Sequence, residues 1–432
     1  MSSGFAVRRW VALGVAAVAA GLLLVAGVSV LWGSAYDQAI AEASVALLLV
    51  SGQAILTLRT GRSRAPEVGR LGYDLAAARA IVESHGDDSI SPFILRPDKV
   101  FHFAAGGVLA YRVIGRTAVI SGDPVGPEHS VPDVLASFRT LAKTRGWDLA
   151  VYGASAHHLP RYANLGLRAL CAGEEAVVDP ARFSLEGRAV RKLRQSVHRV
   201  KRQGWEVTAF DGRDIDGELE SEIDAAERSW RATKSRIIGF AMGMGVSEGG
   251  VQAGDLYLLG RAPDGEIRAV MRFISHRGKL SLDTMRRIGE TPNGLNEALL
   301  CRALEIARER QIPEVSLNYA GLAHLVRSPP PGNALTRTFV RVGIGLLGRH
   351  FQMERLVRFN DKFTPSWRPR YLVYESRVAL PRTVLGVLEA EGYIAPRRRR
   401  RPRAADGHGH AWGQPLPRGQ QPAASPEGNL GR

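Results

Sequence analysis

The chain has 432 residues, a length that predicts two or three domains, and its formal net charge is +16. Such an excess favours a polyanionic partner, either nucleic acid or an anionic membrane surface. Only two cysteines occur, Cys171 and Cys301, which excludes a disulfide framework and a cysteine-based zinc site. We expect neither a metal nor a cofactor.

The N-terminal region contains two apolar runs. Val11–Trp32 carries no charge over 22 residues and is long enough to span a bilayer, and Ala43–Leu58 is a weaker second run. Arginines flank the pair on both outer sides, which predicts a transmembrane hairpin over residues 1–64 with both ends cytoplasmic. The start RRWVALG also fits a twin-arginine export signal, although the apolar run is long for one.

The next segment has an α+β pattern. A predicted helix over Leu71–Ser84 precedes a β-rich stretch, which Gly106-Gly107 and Gly115-Arg116 divide into three short strands. A second helix over Val131–Thr144 and a strand over Trp147–Gly153 follow.

Residues Phe183–Gly204, FSLEGRAVRKLRQSVHRVKRQG, predict a basic helix. Val190, Leu193, Val197 and Val200 have helical spacing, and Glu186 is the only acid in the segment. Solvated helix faces usually carry charges of both signs. A face that carries almost only positive charges is more typical of phosphate binding. The candidate phosphate-binding residues are Arg191, Lys192, Arg194, Arg199, Lys201 and Arg202.

The second half repeats the order of the first, about 160 residues later by the spacing of the predicted elements. Predicted strands over Leu256–Leu259 and Ile267–Ile274 lead into Lys279–Gly321, where strand, helix and strand follow one another. We interpret this as two copies of one α+β module; the alternative is two unrelated mixed domains.

Lys279–Gly321 predicts a βαβ unit with parallel strands and a right-handed crossover. Leu280 and Leu282 give its first strand one apolar face, and its helix begins after the turn Thr291-Pro292-Asn293-Gly294. Ligands of open α/β sheets bind where strands end and helices begin, so we place the chemistry there. The polar candidates at this edge are Asp283, Arg286, Asn293 and Asn318.

The last 36 residues have the composition of a disordered tail. Residues 397–432 carry eight arginines against two acids, and an arginine cluster of this kind can contact anionic lipid.

Six strings, in one order between Leu95 and Glu375, resemble the cytosolic domain of the phosphatidylglycerol lysyltransferase family, also called multiple peptide resistance factors. They are LRPDKVFHF, YRVIGRTAVISGDPVGP, LEGRAVRKLRQSVHRVKRQG, SLDTMRR, PNGLNEALL and NDKFTPSWRPRYLVYE. The resemblance implies an α+β fold with two tandem acetyltransferase-like (GNAT) domains joined by a basic helix. With the hairpin, the expected organisation is residues 1–64 membrane hairpin, 65–182 first domain, 183–204 basic helix, 205–395 second, catalytic domain, and 396–432 tail.

The family's reaction moves an aminoacyl group, commonly lysyl or alanyl, from tRNA to the glycerol hydroxyl of phosphatidylglycerol. By resemblance, Asp283 and Arg286 form the catalytic D-x-x-R pair. Asp283 would hold the α-ammonium or help deprotonate the hydroxyl, and Arg286 would bind phosphate or the developing oxyanion. Residues three apart in a straight strand face opposite ways, so a bend near Met285 is required. The alternative is an ordinary ion pair.

The other expected substrate-binding residues are Glu297, Asn318, Lys362, Arg370 and Tyr371. Lys362 matches a family lysine near the donor site, while Glu297 either faces the pocket or interacts with the helix dipole.

The expected partners are aminoacyl-tRNA, phosphatidylglycerol with other anionic lipid, and a separate aminoacyl-tRNA synthetase, since none is fused here. The six phosphate-binding candidates of the basic helix would, by this resemblance, bind the tRNA. The body would lie on the cytoplasmic side of the cell membrane, and the product would reduce the membrane's negative charge and confer resistance to cationic peptides. Three alternatives stay open: a peptidoglycan-bridge transferase that uses aminoacyl-tRNA, an acyl-CoA N-acyltransferase, and a non-catalytic basic membrane adaptor.

Overall fold

The computed structural model describes residues 71–188, 190–233, 239–241, 250–321 and 353–392. The predicted membrane hairpin over residues 1–64 and the tail over residues 396–432 lie outside these ranges. No helix within the ranges is long and apolar enough to cross a bilayer.

The described residues form eight α-helices and eleven strands. The helices are α1 Leu71–His85, α2 Val131–Arg145, α3 Leu159–Asn164, α4 Arg191–Arg202, α5 Gly217–Ala232, α6 Leu295–Glu309, α7 Met353–Asn360 and α8 Leu380–Ala390. The strands are β1 Val100–Ala104, β2 Gly107–Ile114, β3 Thr117–Ser121, β4 Asp148–Ser155, β5 Arg168–Val178, β6 Glu206–Asp211, β7 Leu256–Arg261, β8 Ile267–His276, β9 Lys279–Arg287, β10 Val315–Gly321 and β11 Ser366–Tyr374.

The strands form a single sheet in the order β1-β2-β3-β4-β11-β5-β10-β9-β8-β7-β6. Only β3 with β4 and β9 with β10 are parallel neighbours; all others are antiparallel. A parallel strand–helix–strand unit therefore occurs twice, as β3–α2–β4 and as β9–α6–β10. The last described strand, β11, lies between β4 and β5, so a segment from the second half of the chain completes the part of the sheet built by the first half.

Several predicted elements are confirmed. The helix after residue 70, the three short strands, the helix α2 and the βαβ unit all form, with β9 and β10 parallel as predicted. The basic helix is shorter than predicted, because regular helix begins only at Arg191 rather than near Phe183. Residues Ser184–Arg188 before it form an irregular segment.

Helices cover both faces of the second half of the sheet. On one face α6 buries its predicted stripe of Leu295, Leu299, Ala303 and Ile306 in the main core, together with apolar residues of α4. On the other face α5 packs its apolar residues against β7 and β8. The prediction that β9 has one apolar face is confirmed, since its leucines lie in the main core, and most polar residues of the strand are buried as well.

Gly294 fixes where α6 begins. Its φ of +104° lies in the left-handed region that favours glycine, and a Cβ here would come within 2.8 Å of Cβ of Ser196 in α4. The turn thus allows the first turn of α6 to lie directly against the basic helix.

Candidate active site

The parallel strands β9 and β10 pair over only two residues each and then separate. Leu280 pairs with Val315 and Ser281 with Ser316, and no further pairing joins the two strands. The register of β10 shifts after Ser316, where Asn318 has a φ of +83°. This left-handed conformation is one that asparagine tolerates better than most residues. A gap consequently opens between the two strands at their carboxyl ends.

Asp283 lies in a β-bulge at the start of this gap. Leu282 is opposite Phe273 and Thr284 is opposite Arg272, which leaves Asp283 as the extra residue of β9. A bulge shifts the alternation by one position, so Asp283 and Arg286 both project from the face that α5 covers. The predicted bend is present, two residues before Met285, and it brings both catalytic candidates to one face.

Two guanidinium groups face the Asp283 carboxylate, which is 3% exposed. Arg96 donates a hydrogen bond to Oδ1 through Nη2. Nη1 of Arg272 lies 3.5 Å from Oδ2. Because a buried carboxylate is costly without compensating charge, these two guanidinium groups offset the cost of burying it.

Arg272 also ties Asp283 to a second buried carboxylate. Its Nε and Nη2 donate to Oδ2 of Asp255 at 2.8 and 2.6 Å, and Asp255 accepts a further bond from the backbone of Ser275. Burial acts to lower the pKa of Arg272, but the charges of Asp283 and Asp255 outweigh it and raise that pKa. Burial raises the pKa of Asp255 despite its arginine partner.

Arg286 does not pair with Asp283. Its Nη1 lies 2.7 Å from Oε2 of Glu227 in α5, and its guanidinium lies over the Trp230 ring at 4.6 Å. Burial raises the pKa of Glu227, and the nearby charge of Arg286 partly offsets this effect. The ordinary ion pair between Asp283 and Arg286 that we weighed is thus absent, and α5 holds Arg286 in a fixed position.

The structure distributes the other predicted substrate-binding residues over three places. Asn318 lies across the gap from Asp283, with Nδ2 3.5 Å from the carbonyl oxygen of Leu282. Glu297 and Lys362 are brought together, with Oε1 and Nζ 2.6 Å apart, but α6 lies on the opposite face of the sheet from Asp283. Tyr371 packs against the core of the first half.

Arg370 is fully engaged by protein groups. Its Nε donates to Glu175 at 2.9 Å, its Nη1 and Nη2 donate to the two oxygens of Asp88 at 2.7 and 3.0 Å, and Nη2 also donates to Ser89. Glu175 is completely buried and accepts a further bond from Ser316 at 2.5 Å. These contacts give Arg370 a cross-linking role in the middle of the sheet and leave it no donor for a phosphate.

On α4 the predicted basic face is present, with one exception. Arg191, Lys192, Arg199, Lys201 and Arg202 are exposed, and none has an ion pair with another residue in the described ranges. Arg194 instead donates to the carbonyl oxygens of Leu185 and Gly187. It therefore fixes the segment before the helix, where a cavity of about 500 Å³ lies beside Leu185 and Val197.

Four residues of the Asp283 cluster escaped sequence reasoning. Asp255 and Glu227 both precede the predicted βαβ unit in sequence. Arg96 lies 187 positions from its partner Asp283. Arg272 did carry a signal, because a charged residue inside the apolar run of β8 needs a buried partner. In the part of the chain that the structure describes, no three His, Cys, Asp or Glu residues are arranged to hold a metal ion.

Comparison with known proteins gives consistent results. A family model described as "Phosphatidylglycerol lysyltransferase, C-terminal" matches residues 79–374. The "Lysylphosphatidylglycerol biosynthesis bifunctional protein LysX" of Mycobacterium marinum is 34% identical over 343 residues, which are 78% of this chain and 31% of that protein. The protein of the same name from Nocardia farcinica is 33% identical over 348 residues, 79% of this chain and 30% of that one. The chain thus spans about a third of the length of these relatives.

Two solved structures share the fold. L-PGS from Bacillus licheniformis superposes with a TM-score of 0.62 at 24% identity, covering 77% of this chain and all of that one. The C-terminal domain of a putative lysylphosphatidylglycerol synthetase from Agrobacterium fabrum gives a TM-score of 0.63 at 24% identity, covering 76% and 100%.

Proposed function

Because the chain belongs to the phosphatidylglycerol lysyltransferase family through the C-terminal domain of that family, we propose that it transfers an aminoacyl group from aminoacyl-tRNA to phosphatidylglycerol. Lysyl is the proposed group, since the relatives from Mycobacterium and Nocardia are named for lysylphosphatidylglycerol biosynthesis. The observation that carries the proposal is the buried Asp283 carboxylate at the gap between β9 and β10, inside the matched range.

In this reaction the glycerol hydroxyl attacks the ester carbonyl that joins the amino acid to the tRNA. We assign Asp283 to receive the hydroxyl proton as the new carbon–oxygen bond forms. The tetrahedral intermediate then expels the tRNA ribose oxygen, which takes this proton from Asp283 as it leaves, so that the carboxylate is regenerated. The alternative role for Asp283, holding the α-ammonium, uses the same charge.

Arg286 would stabilise the developing oxyanion from the same face. Its contacts with Glu227 and the Trp230 ring hold the guanidinium in place before the substrate arrives, which avoids reorganisation during the reaction. Asn318 lies across the gap and would contact the substrate from β10. The pair of Glu297 and Lys362 lies at the start of α6, beside α4, and would contact the tRNA near its 3′ end.

The exposed cations of α4 are the proposed tRNA-binding surface. Five basic side chains without protein partners in the described ranges can neutralise phosphates and release counterions. Charged tRNA would come from a separate aminoacyl-tRNA synthetase.

At the level of organisation, we propose two acetyltransferase-like modules over residues 65–182 and 205–395, with residues 183–204 between them. The repeated parallel strand–helix–strand unit supports this proposal. Residues 1–64 would anchor the protein as a membrane hairpin with the body on the cytoplasmic side, and residues 396–432 would form a basic tail.

The test is transfer of labelled lysine from lysyl-tRNA to phosphatidylglycerol in detergent, with alanyl-tRNA and phosphatidylethanolamine as alternative substrates. Lysylphosphatidylglycerol as the main product is the expected result. Product only from alanyl-tRNA would correct the amino acid, and no product from either tRNA would refute the function.

A further inference from the structure

The segment between α1 and β1, residues 86–99, lies against the second half of the sheet. We call it the strap. At its beginning Asp88 forms an ion pair with Arg370 of β11, and the carbonyl oxygen of Gly86 lies 2.5 Å from Nε2 of His276 in β8. Near its end Arg96 reaches the bulge at Asp283. The first half of the chain therefore supplies a charged side chain to the candidate site of the second half.

Arg96 uses only part of its hydrogen-bonding capacity. Nη2 donates to Asp283, whereas Nε and Nη1 have no acceptor among the described residues. The guanidinium lies over the Phe93 ring at 5.2 Å, which fixes its plane, and 17% of the side chain is exposed. One N–H of Nη2 in this half-buried, oriented guanidinium thus faces the carboxylate, while its second N–H and those of Nε and Nη1 have no acceptor among the described residues.

Resting on the proposed function, we propose that these open N–H groups of Arg96 bind the phosphodiester of phosphatidylglycerol while one N–H of Nη2 stays on Asp283. A guanidinium fork matches the two free oxygens of a phosphodiester, and such bidentate pairs are strong and directional. In the lipid head group only three carbons separate the phosphate from the terminal hydroxyl. A side chain that bonds the base and the phosphate together would therefore set the hydroxyl beside Asp283.

The fold favours lipid over tRNA as the source of this phosphate. The exposed cations proposed for tRNA are on α4, which shares a core with α6 on one face of the sheet. The strap is on the other face. It continues from α1, which begins at Leu71, a few residues after the proposed membrane anchor of residues 1–64. The two substrates would then approach from opposite faces and meet at the gap between β9 and β10.

The proposal is tested by binding of dihexanoylphosphatidylglycerol, below its micelle concentration, to the full chain by calorimetry. Loss of charged hydrogen bonds predicts that Arg96→Gln weakens this binding about 10- to 100-fold. Arg96→Lys keeps the charge but cannot bond both groups in a fixed plane, and should fall between wild type and Arg96→Gln. Melting curves establish that each variant is folded.

Arg277→Gln is the matched control. Arg277 ties the start of the strap through Asp87 and the backbone of Glu83 and Ser84, at a distance from Asp283. Its loss loosens the strap but leaves Arg96 in place, so we expect lipid affinity to change less than about twofold while Arg96→Gln changes it tenfold or more. Equal weakening by both variants would overturn the proposal, because the effect would then come from the strap as a whole.

Two further measurements separate the remaining explanations. In an Asp283→Asn background, Arg96→Gln should still weaken lipid binding; no additional effect would mean that Arg96 acts only through Asp283, which overturns the proposal. A loss of tRNA affinity without loss of lipid affinity would assign the phosphate to tRNA and also overturn it. Lipid binding that depends on Arg96 in a protein without transfer activity would support this site and refute the proposed function.

Discussion

Replacing Asp283 by asparagine isolates the charge of the candidate catalytic carboxylate. The amide has nearly the same shape and can still accept the hydrogen bond from Arg96, but it offers neither a negative charge nor a base. If Asp283 takes the hydroxyl proton, transfer from tRNA to lipid should fall by about 10²- to 10⁴-fold. If Asp283 only neutralises the charges of the two arginines, the transfer rate should fall no more than the loss of folded protein explains.

The structure sets the expected size of that stability loss. Arg272 keeps both of its bonds to Asp255, and Arg96 is partly exposed, so neither guanidinium is left wholly unpaired and dry. We therefore expect a loss of about 1–3 kcal/mol in the free energy of unfolding, below the 3–5 kcal/mol typical of breaking a fully buried pair. Such a protein stays folded at room temperature, and its transfer rate can be measured.

Asp255→Asn is the matched comparison, since it makes the same change in the same network. It removes the charge of the main partner of Arg272 and should cost about 3–5 kcal/mol of stability but less than about tenfold in transfer. The assay is transfer of labelled lysine from tRNA to phosphatidylglycerol, with urea unfolding of each variant. Near-normal transfer by Asp283→Asn, or an equal loss in both variants, would refute the assignment of Asp283 as the base.

Three other predictions concern separate parts of the molecule. Replacing the exposed Arg191, Arg199 and Arg202 by glutamine should weaken tRNA binding and reduce the slope of log affinity against log salt by about two to three, whereas Arg194→Gln should lower stability and leave the slope unchanged; an unaltered slope in the triple variant would count against α4. Glu175→Gln should cost about 3–5 kcal/mol in urea unfolding because its arginine keeps only one carboxylate, and a cost under about 1 kcal/mol would contradict the cross-linking role. Burial, reinforced by the charge of Arg96, holds the pKa of Lys99 well below its ordinary value. Between that lowered pKa and about pH 10.5, the unfolded chain therefore binds more protons at Lys99 than the folded protein does, and the free energy of unfolding rises with pH. Lys99→Met should therefore be stabilising at pH 7, with the difference from wild type shrinking towards pH 10; a constant difference would show that Lys99 does not titrate in that window.

The candidate site was predictable from sequence as far as local pattern reaches. The alternation of apolar residues, the turn that ends at Gly294 and the stripe of α6 together predicted the βαβ unit and placed Asp283 near the edge where its strands end. The spacing of Asp283 and Arg286 predicted a bend in β9, but it did not predict that the bulge lies at Asp283 itself. These features depend on residues that are neighbours in sequence.

Partners from distant segments were not predictable by the same reasoning. Arg96 looks like an ordinary residue before a strand, and only the tertiary fold brings it to Asp283. Likewise β5 contains Glu174 and Glu175, and two adjacent acids in a sequence argue against a central strand. In the structure Arg370 and Ser316 donate hydrogen bonds to the buried carboxylate of Glu175. The same limit misassigned Arg370, whose partners lie 195 and 282 positions away.

The place of β11 has a consequence for the order in which the protein can fold during synthesis. Strands β4 and β5 are complete by Val178, but the strand that joins them ends at Tyr374, about 200 residues later. At ribosomal rates this interval lasts about 10–40 s. For that time the nascent first half presents two unsatisfied strand edges, one of them eleven residues long, which are templates for pairing with other chains. The yield of soluble protein should therefore depend on chaperones that bind nascent chains, and a stop codon before β11 should yield aggregates instead of a smaller folded domain.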